Sequence, residues 1–121
     1  QQYLTCWVAL TDTDERNGCP WVMPGMHLRG TLRHEMTDLG WRCLDSTDGA
    51  VPVPAAAGDI VVFSSLTPHR TGSNLTDATR KSYILQYAPD GVVKIDGGES
   101  LQQRDPDRQY FVVQNGLPVD A

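Results

Sequence analysis

The chain has 121 residues, 40% hydrophobic and 21% charged, which suits one packed core and is too short for two ordinary domains. Ten Lys plus Arg against fifteen Asp plus Glu give a formal net charge of -5 without a basic cluster, so no nucleic-acid partner is expected. No stretch approaches the roughly 20 apolar residues that cross a bilayer, and Cys6, Cys19 and Cys43 make no CxxC pair, so a membrane partner, a disulfide framework and a zinc site are not expected either. A reducing, cytoplasmic setting fits this composition.

Residues 4–10 are rich in β-branched and aromatic side chains and stop at the polar run 11–18, which predicts a buried strand followed by a loop. Residues 20–23 form a second short strand candidate. Pro24-Gly25 then turns the chain, and residues 26–41 are expected to be irregular with one helical turn, because Gly30 and Gly40 interrupt any helical pattern. Pro52 and Pro54 make residues 45–58 an edge segment or a loop. Ile60-Val61-Val62-Phe63 is a continuous apolar run, the signature of a strand covered on both faces. A loop over residues 66–78 and a strand over 82–87 follow. Residues 92–121 alternate weakly, and the apolar patch at 110–113 is expected to add an edge strand or pack as a tail. Short strands between Gly and Pro turns argue for an all-β sandwich or barrel, of which the jelly roll is one form.

Among three histidines, His69 stands out because it lies just past the best strand, in a loop held by a rigid element. Arg80 begins the following strand. If the two strands pair as a hairpin, both residues come to one side of the sheet, and an arginine fork suits a fixed carboxylate. His27 and His34 have no metal-ligand spacing and are expected to be structural or exposed. Asp12, Asp14 and Glu15 are expected to form a solvated turn, since a calcium loop needs a longer ligand series. The sequon Asn74-Leu75-Thr76 carries little weight, and no nucleophile elbow, P-loop or dinucleotide fingerprint is present.

Two sets of motifs, in order and spacing, are similar to the phytanoyl-CoA dioxygenase family of Fe(II)- and 2-oxoglutarate-dependent oxygenases. The first is Trp7-Val8-Ala9-Leu10, Asn17-Gly18-Cys19 and Pro24-Gly25-Met26-His27; the second is Gly58-Asp59-Ile60-Val61-Val62-Phe63, His69-Arg70-Thr71-Gly72-Ser73-Asn74 and Arg80. The resemblance covers about residues 4–91. It implies a double-stranded β-helix (jelly roll, cupin-like) and a triad of two histidines and one carboxylate on iron. By the same resemblance His69 is the distal iron ligand, Arg80 holds the far carboxylate of 2-oxoglutarate, Thr71 assists it, and Trp7 lines the same pocket. The implied reaction converts 2-oxoglutarate to succinate and carbon dioxide and hydroxylates a C–H bond of a small organic substrate.

The family's other two ligands form a His-x-Asp motif upstream of the Trp-x-x-Leu strand, and this sequence contains no His-x-Asp. The chain is therefore expected to be the C-terminal part of one oxygenase domain, incomplete at its N-terminus and inactive alone. It would pair through open sheet edges or with the missing portion. The alternative is a non-catalytic β-sandwich binding module derived from such an enzyme, with a halogenase ranked third. The sequence does not name the substrate.

Overall fold

The computed structural model describes residues 2–91, 93–96, 99–102 and 109–119. Two compact units are distinguished, residues 2–88 and residues 89–121 together with Gln1. Among the described residues, apart from one 3-10 turn at Met26–Arg29, every regular element is a strand, and the all-β expectation holds.

In the larger unit, strand β1 (Leu4–Ala9) runs between its two neighbours. It buries every second residue, Thr5, Trp7 and Ala9, because successive side chains of a strand point to opposite faces. Strands β6 (Ile60–Ser64) and β8 (Ser82–Tyr87) flank it, both antiparallel. The register sets Val61, Trp7 and Ile84 in one row and Phe63, Thr5 and Gln86 in the next. Trp7, Ala9 and Ala55 form the core of this face, with Val61 and Phe63 packed against it.

The hairpin expected between residues 60–63 and 82–87 is not formed. β1 separates them, and both of its hydrogen-bonding edges are thereby paired, as buried backbone groups require. The intervening segment is also not all loop. His69–Thr71 is strand β7, paired in a second antiparallel sheet with β2 (Pro20–Val22), whose other neighbour is β5 (Val51–Pro52). The edge position of β5 agrees with the proline-based expectation, since Pro52 has no amide hydrogen to give to a further strand.

Residues 26–41 depart from expectation in part. The helical turn is present, but Glu35–Thr37 (β3) and Gly40–Arg42 (β4) form a hairpin that pairs Met36 with Trp41 and Glu35 with Arg42. The Thr37 hydroxyl donates to the Gly40 carbonyl at 2.8 Å and accepts the Leu39 amide at 3.3 Å, closing the turn. An ion pair between Arg42 and Glu35 clips the open end.

The smaller unit contains two hairpins. Strand β9 (Val93–Asp96) pairs with β10 (Glu99–Gln102), and β11 (Val113–Gln114) pairs with β12 (Leu117–Pro118) across an Asn115-Gly116 turn. Of the patch at residues 110–113, expected to add an edge strand or pack as a tail, only Val113 is strand. The Gly97-Gly98 and Asp105-Pro106 positions lie outside the described residues. Among the described residues no helix is long and apolar enough to cross a membrane.

Candidate active site

The loop after β1 is built by its own polar side chains. Asp14 Oδ1 accepts the amides of Arg16 at 2.8 Å and Asn17 at 3.0 Å, while Asn17 Oδ1 accepts the Asp14 amide at 2.9 Å. Such Asx bonds replace backbone pairing in a turn. Asp12 Oδ1 accepts the Ala57 amide at 2.8 Å, so the acidic loop is a structural brace.

The brace presents Gly18 to Gly72. A Cβ on Gly18 would lie 2.4 Å from the Gly72 carbonyl oxygen, and φ there is +90°, so only glycine allows this approach. The Gly72 amide donates to Cys19 at 3.3 Å, and the Leu75 amide to Arg16 at 2.8 Å. These contacts seat β7 against β2, with Val22 opposite His69, Trp21 opposite Arg70 and Pro20 opposite Thr71. Asn17-Gly18 and Gly72, noted above as motif residues, therefore act by holding the His69 strand. Asn74 is similarly occupied: its amide donates to the Ala78 carbonyl at 2.7 Å and its oxygen accepts from Thr76.

His69 Nδ1 lies 2.8 Å from the Thr67 carbonyl. A carbonyl can only accept, so Nδ1 carries a proton, and in the neutral ring Nε2 then holds the lone pair. The imidazole ring is 4.5 Å from the Phe63 ring, tilted by 53°. Between the two sheets lies a cavity of about 310 Å³ whose wall includes Thr5, Trp7, Phe63, His69, Thr71 and Gln86. Three of the four expected site residues, Trp7, His69 and Thr71, are thus brought to one cavity.

Arg80 is not in that wall. Its Nη1 donates to Ser82 Oγ at 3.3 Å, which keeps the guanidinium on the side of β8 that carries Ile84 and Gln86. Its Nε is buried and has no hydrogen-bond partner. A buried donor of this kind lacks an acceptor, and a carboxylate would supply one.

Thr5, Phe63, Ile84, Gln86 and Arg70 were not among the expected site residues. Four of them could have been found by carrying the two-residue alternation of Trp7 along β1 and across to its neighbours; Arg70 needed the position of β7. His27 and His34 lie outside the cavity wall, and His34 Nδ1 bonds to the Leu32 carbonyl at 2.8 Å. Among the described residues no group of three or more His, Cys, Asp and Glu side chains could hold a metal ion. His69 can offer one ligand, and the donor set for iron is not complete within them.

The profile of the family described as phytanoyl-CoA dioxygenase (PhyH) matches residues 1–82. The chain belongs to this family. It is 32% identical over 87 residues to a methylphosphonate hydroxylase of Gimesia maris, covering 72% of this chain and 34% of that protein. It is 36% identical over 89 residues to phytanoyl-CoA dioxygenase domain-containing protein 1 of Danio rerio, covering 65% of this chain and 31% of the relative. The chain thus spans about a third of the length of these curated relatives.

Solved structures give the same family of folds. EvdO2 from Micromonospora carbonacea var. aurantiaca, complexed with 2-oxoglutarate, aligns with a TM-score of 0.67 at 32% identity over 84% of this chain and 45% of that one. The epimerase SnoN, in complex with Fe3+, alpha ketoglutarate and nogalamycin RO, aligns with a TM-score of 0.63 at 28% identity over 98% of this chain and 48% of that one. The jelly-roll expectation made for this family member from its sequence agrees with both.

Proposed function

We propose that this family member provides part of the catalytic centre of an Fe(II)- and 2-oxoglutarate-dependent oxygenase that hydroxylates a C–H bond of a small organic substrate. The observation that carries the reading is His69 in the wall of the inter-sheet cavity, with Nδ1 tied to Thr67 and Nε2 free to bind iron. Metal-binding histidines are oriented in this way by a bond from their other nitrogen. EvdO2 and SnoN, which carry 2-oxoglutarate or alpha ketoglutarate in their crystals, support the choice of cosubstrate.

In this reading residues 1–121 are the C-terminal part of one oxygenase domain, and a His-x-Asp pair from outside them completes the iron site. Bound iron with 2-oxoglutarate supplies the oxidising chemistry. This chain's own residues orient and shelter it. Thr67 fixes the His69 tautomer, Trp7 and Phe63 keep the cavity apolar, and the Thr71 hydroxyl and the Arg80 guanidinium hold the cosubstrate carboxylate. Arg80 would offer its buried, unpartnered Nε for that role.

A second reading is a metal-free module that binds a small dicarboxylate, and it draws support from the incomplete donor set among the described residues. Anaerobic thermal unfolding of the full protein separates the two. Fe(II) alone should raise the melting temperature and 2-oxoglutarate should raise it further, each adding about 2.7 kcal/mol of stability at a hundredfold excess over Kd. His69→Ala should remove the iron increment and Arg80→Ala the 2-oxoglutarate increment. A shift from 2-oxoglutarate that needs no metal would favour the module, and increments unchanged in both variants would overturn both assignments.

A further inference from the structure

A second cavity, of about 260 Å³, is walled by the β3–β4 hairpin, the segment after it, β2 and the start of β7. His69 and Arg70 belong to the walls of both cavities, so the two meet at the candidate iron ligand. Trp21, Met23, Leu39, Trp41 and Leu44 give the second one an apolar lining. Leu39 and Trp41 sit on the hairpin with 101% and 69% of their surface exposed, an arrangement that costs free energy until something apolar covers them.

The charges at this cavity are unequal. Arg42 is neutralised by Glu35 and approached by Asp45. Arg70 has no carboxylate within ion-pair distance among the described residues, and its guanidinium lies 5.6 Å from the centre of the Trp21 ring. Stacking on an indole fixes the plane of the fork while leaving its N–H groups free for an oxyanion.

We propose that this cavity takes the organic substrate, and that the substrate is a small acid: an apolar chain or single ring covered by Leu39 and Trp41, with a carboxylate or similar anionic group on Arg70. The inference rests on the oxygenase reading above and extends it to a substrate class. A volume of about 260 Å³ is at or below the small end of the ~300–1,000 Å³ typical of ligand sites, which suits one ring or a short chain and not a nucleotide-bearing thioester. With one uncommitted guanidinium, the site is matched to one anionic group.

The test compares 4-phenylbutyrate with 4-phenylbutanol, which share the apolar body and differ in charge. Binding is measured by calorimetry on the full protein that carries the His-x-Asp pair, with and without saturating 2-oxoglutarate and Mn(II), so that the acid is not reporting the cosubstrate's place. The acid should bind about tenfold more tightly than the alcohol, the scale of one charge-assisted contact. Arg70→Gln should erase that preference. Leu39→Gln, at a fully exposed position whose change leaves the fold intact, should weaken both probes about fivefold and leave 2-oxoglutarate binding unchanged. Equal affinity of the two probes, or no effect of Leu39→Gln on either, would overturn the inference while 2-oxoglutarate binding leaves the oxygenase reading standing. Probe binding without any 2-oxoglutarate binding would instead remove the oxygenase reading, and with it the assignment of the acid as substrate.

Discussion

At the scale of single residues, the site is held by contacts that tolerate no added atoms. Gly18 combines a φ of +90° with a carbonyl 2.4 Å from where a Cβ would stand. Gly18→Ala therefore meets both backbone strain and a collision with backbone, which cannot rotate away as a side chain could. It should destabilise the protein by about 2–4 kcal/mol, since strained positions alone cost of order 1–3. It should also weaken 2-oxoglutarate binding, because the displaced Gly72 is continuous with Thr71 and His69. Urea unfolding beside a 2-oxoglutarate titration checks this, and a variant with wild-type stability would refute the close approach. The family motif singles out Trp7, His69 and Thr71, and all three line one cavity. Arg80 was legible as a type of residue, but its relation to His69 was argued through a hairpin that does not exist. The order of strands in a sheet is set by long-range pairing, which no local pattern encodes.

At the scale of elements, the positions of four strands were readable but the cover over β6 was not: residues 60–63 were expected to be covered on both faces, whereas Ile60 and Val62 are 57% and 56% exposed and only the face of Val61 and Phe63 is packed. β1, β2, β6 and β8 each appear within a residue or two of where β-branched and apolar runs put them. The β3–β4 hairpin was missed because Met36 and Trp41 are its only large apolar pair and both remain mostly exposed, so burial leaves no alternation to read. β7 was missed because His69, Arg70 and Thr71 are polar; they are strand because β2 offers them an edge, not by propensity. The signal in the hairpin is Gly40, the first residue of β4 where the chain leaves the turn, whose φ of +108° suits glycine. Nothing lies within 4 Å of a Cβ placed there, so Gly40→Ala should cost only the backbone strain, about 1–2 kcal/mol. Its larger effect should be local. With the turn displaced, Leu39 and Trp41 no longer close the second cavity, so 4-phenylbutyrate affinity should fall while 2-oxoglutarate affinity holds. Loss of 2-oxoglutarate affinity in this variant would mean that the two cavities are not separate in function.

At the scale of the whole molecule, composition and turn spacing were enough for an all-β fold, and the family followed from motif order. The pairing of β7 with β2 was not readable, yet it gives the fold a buried pivot, the fully buried Cys19 beside β2. Burial pushes the Cys19 thiol above the ordinary range, and the nearby Glu15 and Asp14 carboxylates push in the same direction. A thiol held neutral in the folded state binds its proton more tightly there than in the unfolded chain. Its contribution to stability is thus fully present below the unfolded pKa of about 8.5 and is lost as pH rises through the higher folded value. Between those two values the unfolded state is the more deprotonated, with a limiting slope of about 1.4 kcal/mol per pH unit. Urea midpoints should therefore fall faster above about pH 8.5 in the wild type than in Cys19→Ala, where the titrating group is gone. The two proteins differ only at position 19, so the difference between the two curves isolates the thiol. Parallel curves would mean that Cys19 is not desolvated, and that the turn from β1 into β2 is open to water in solution.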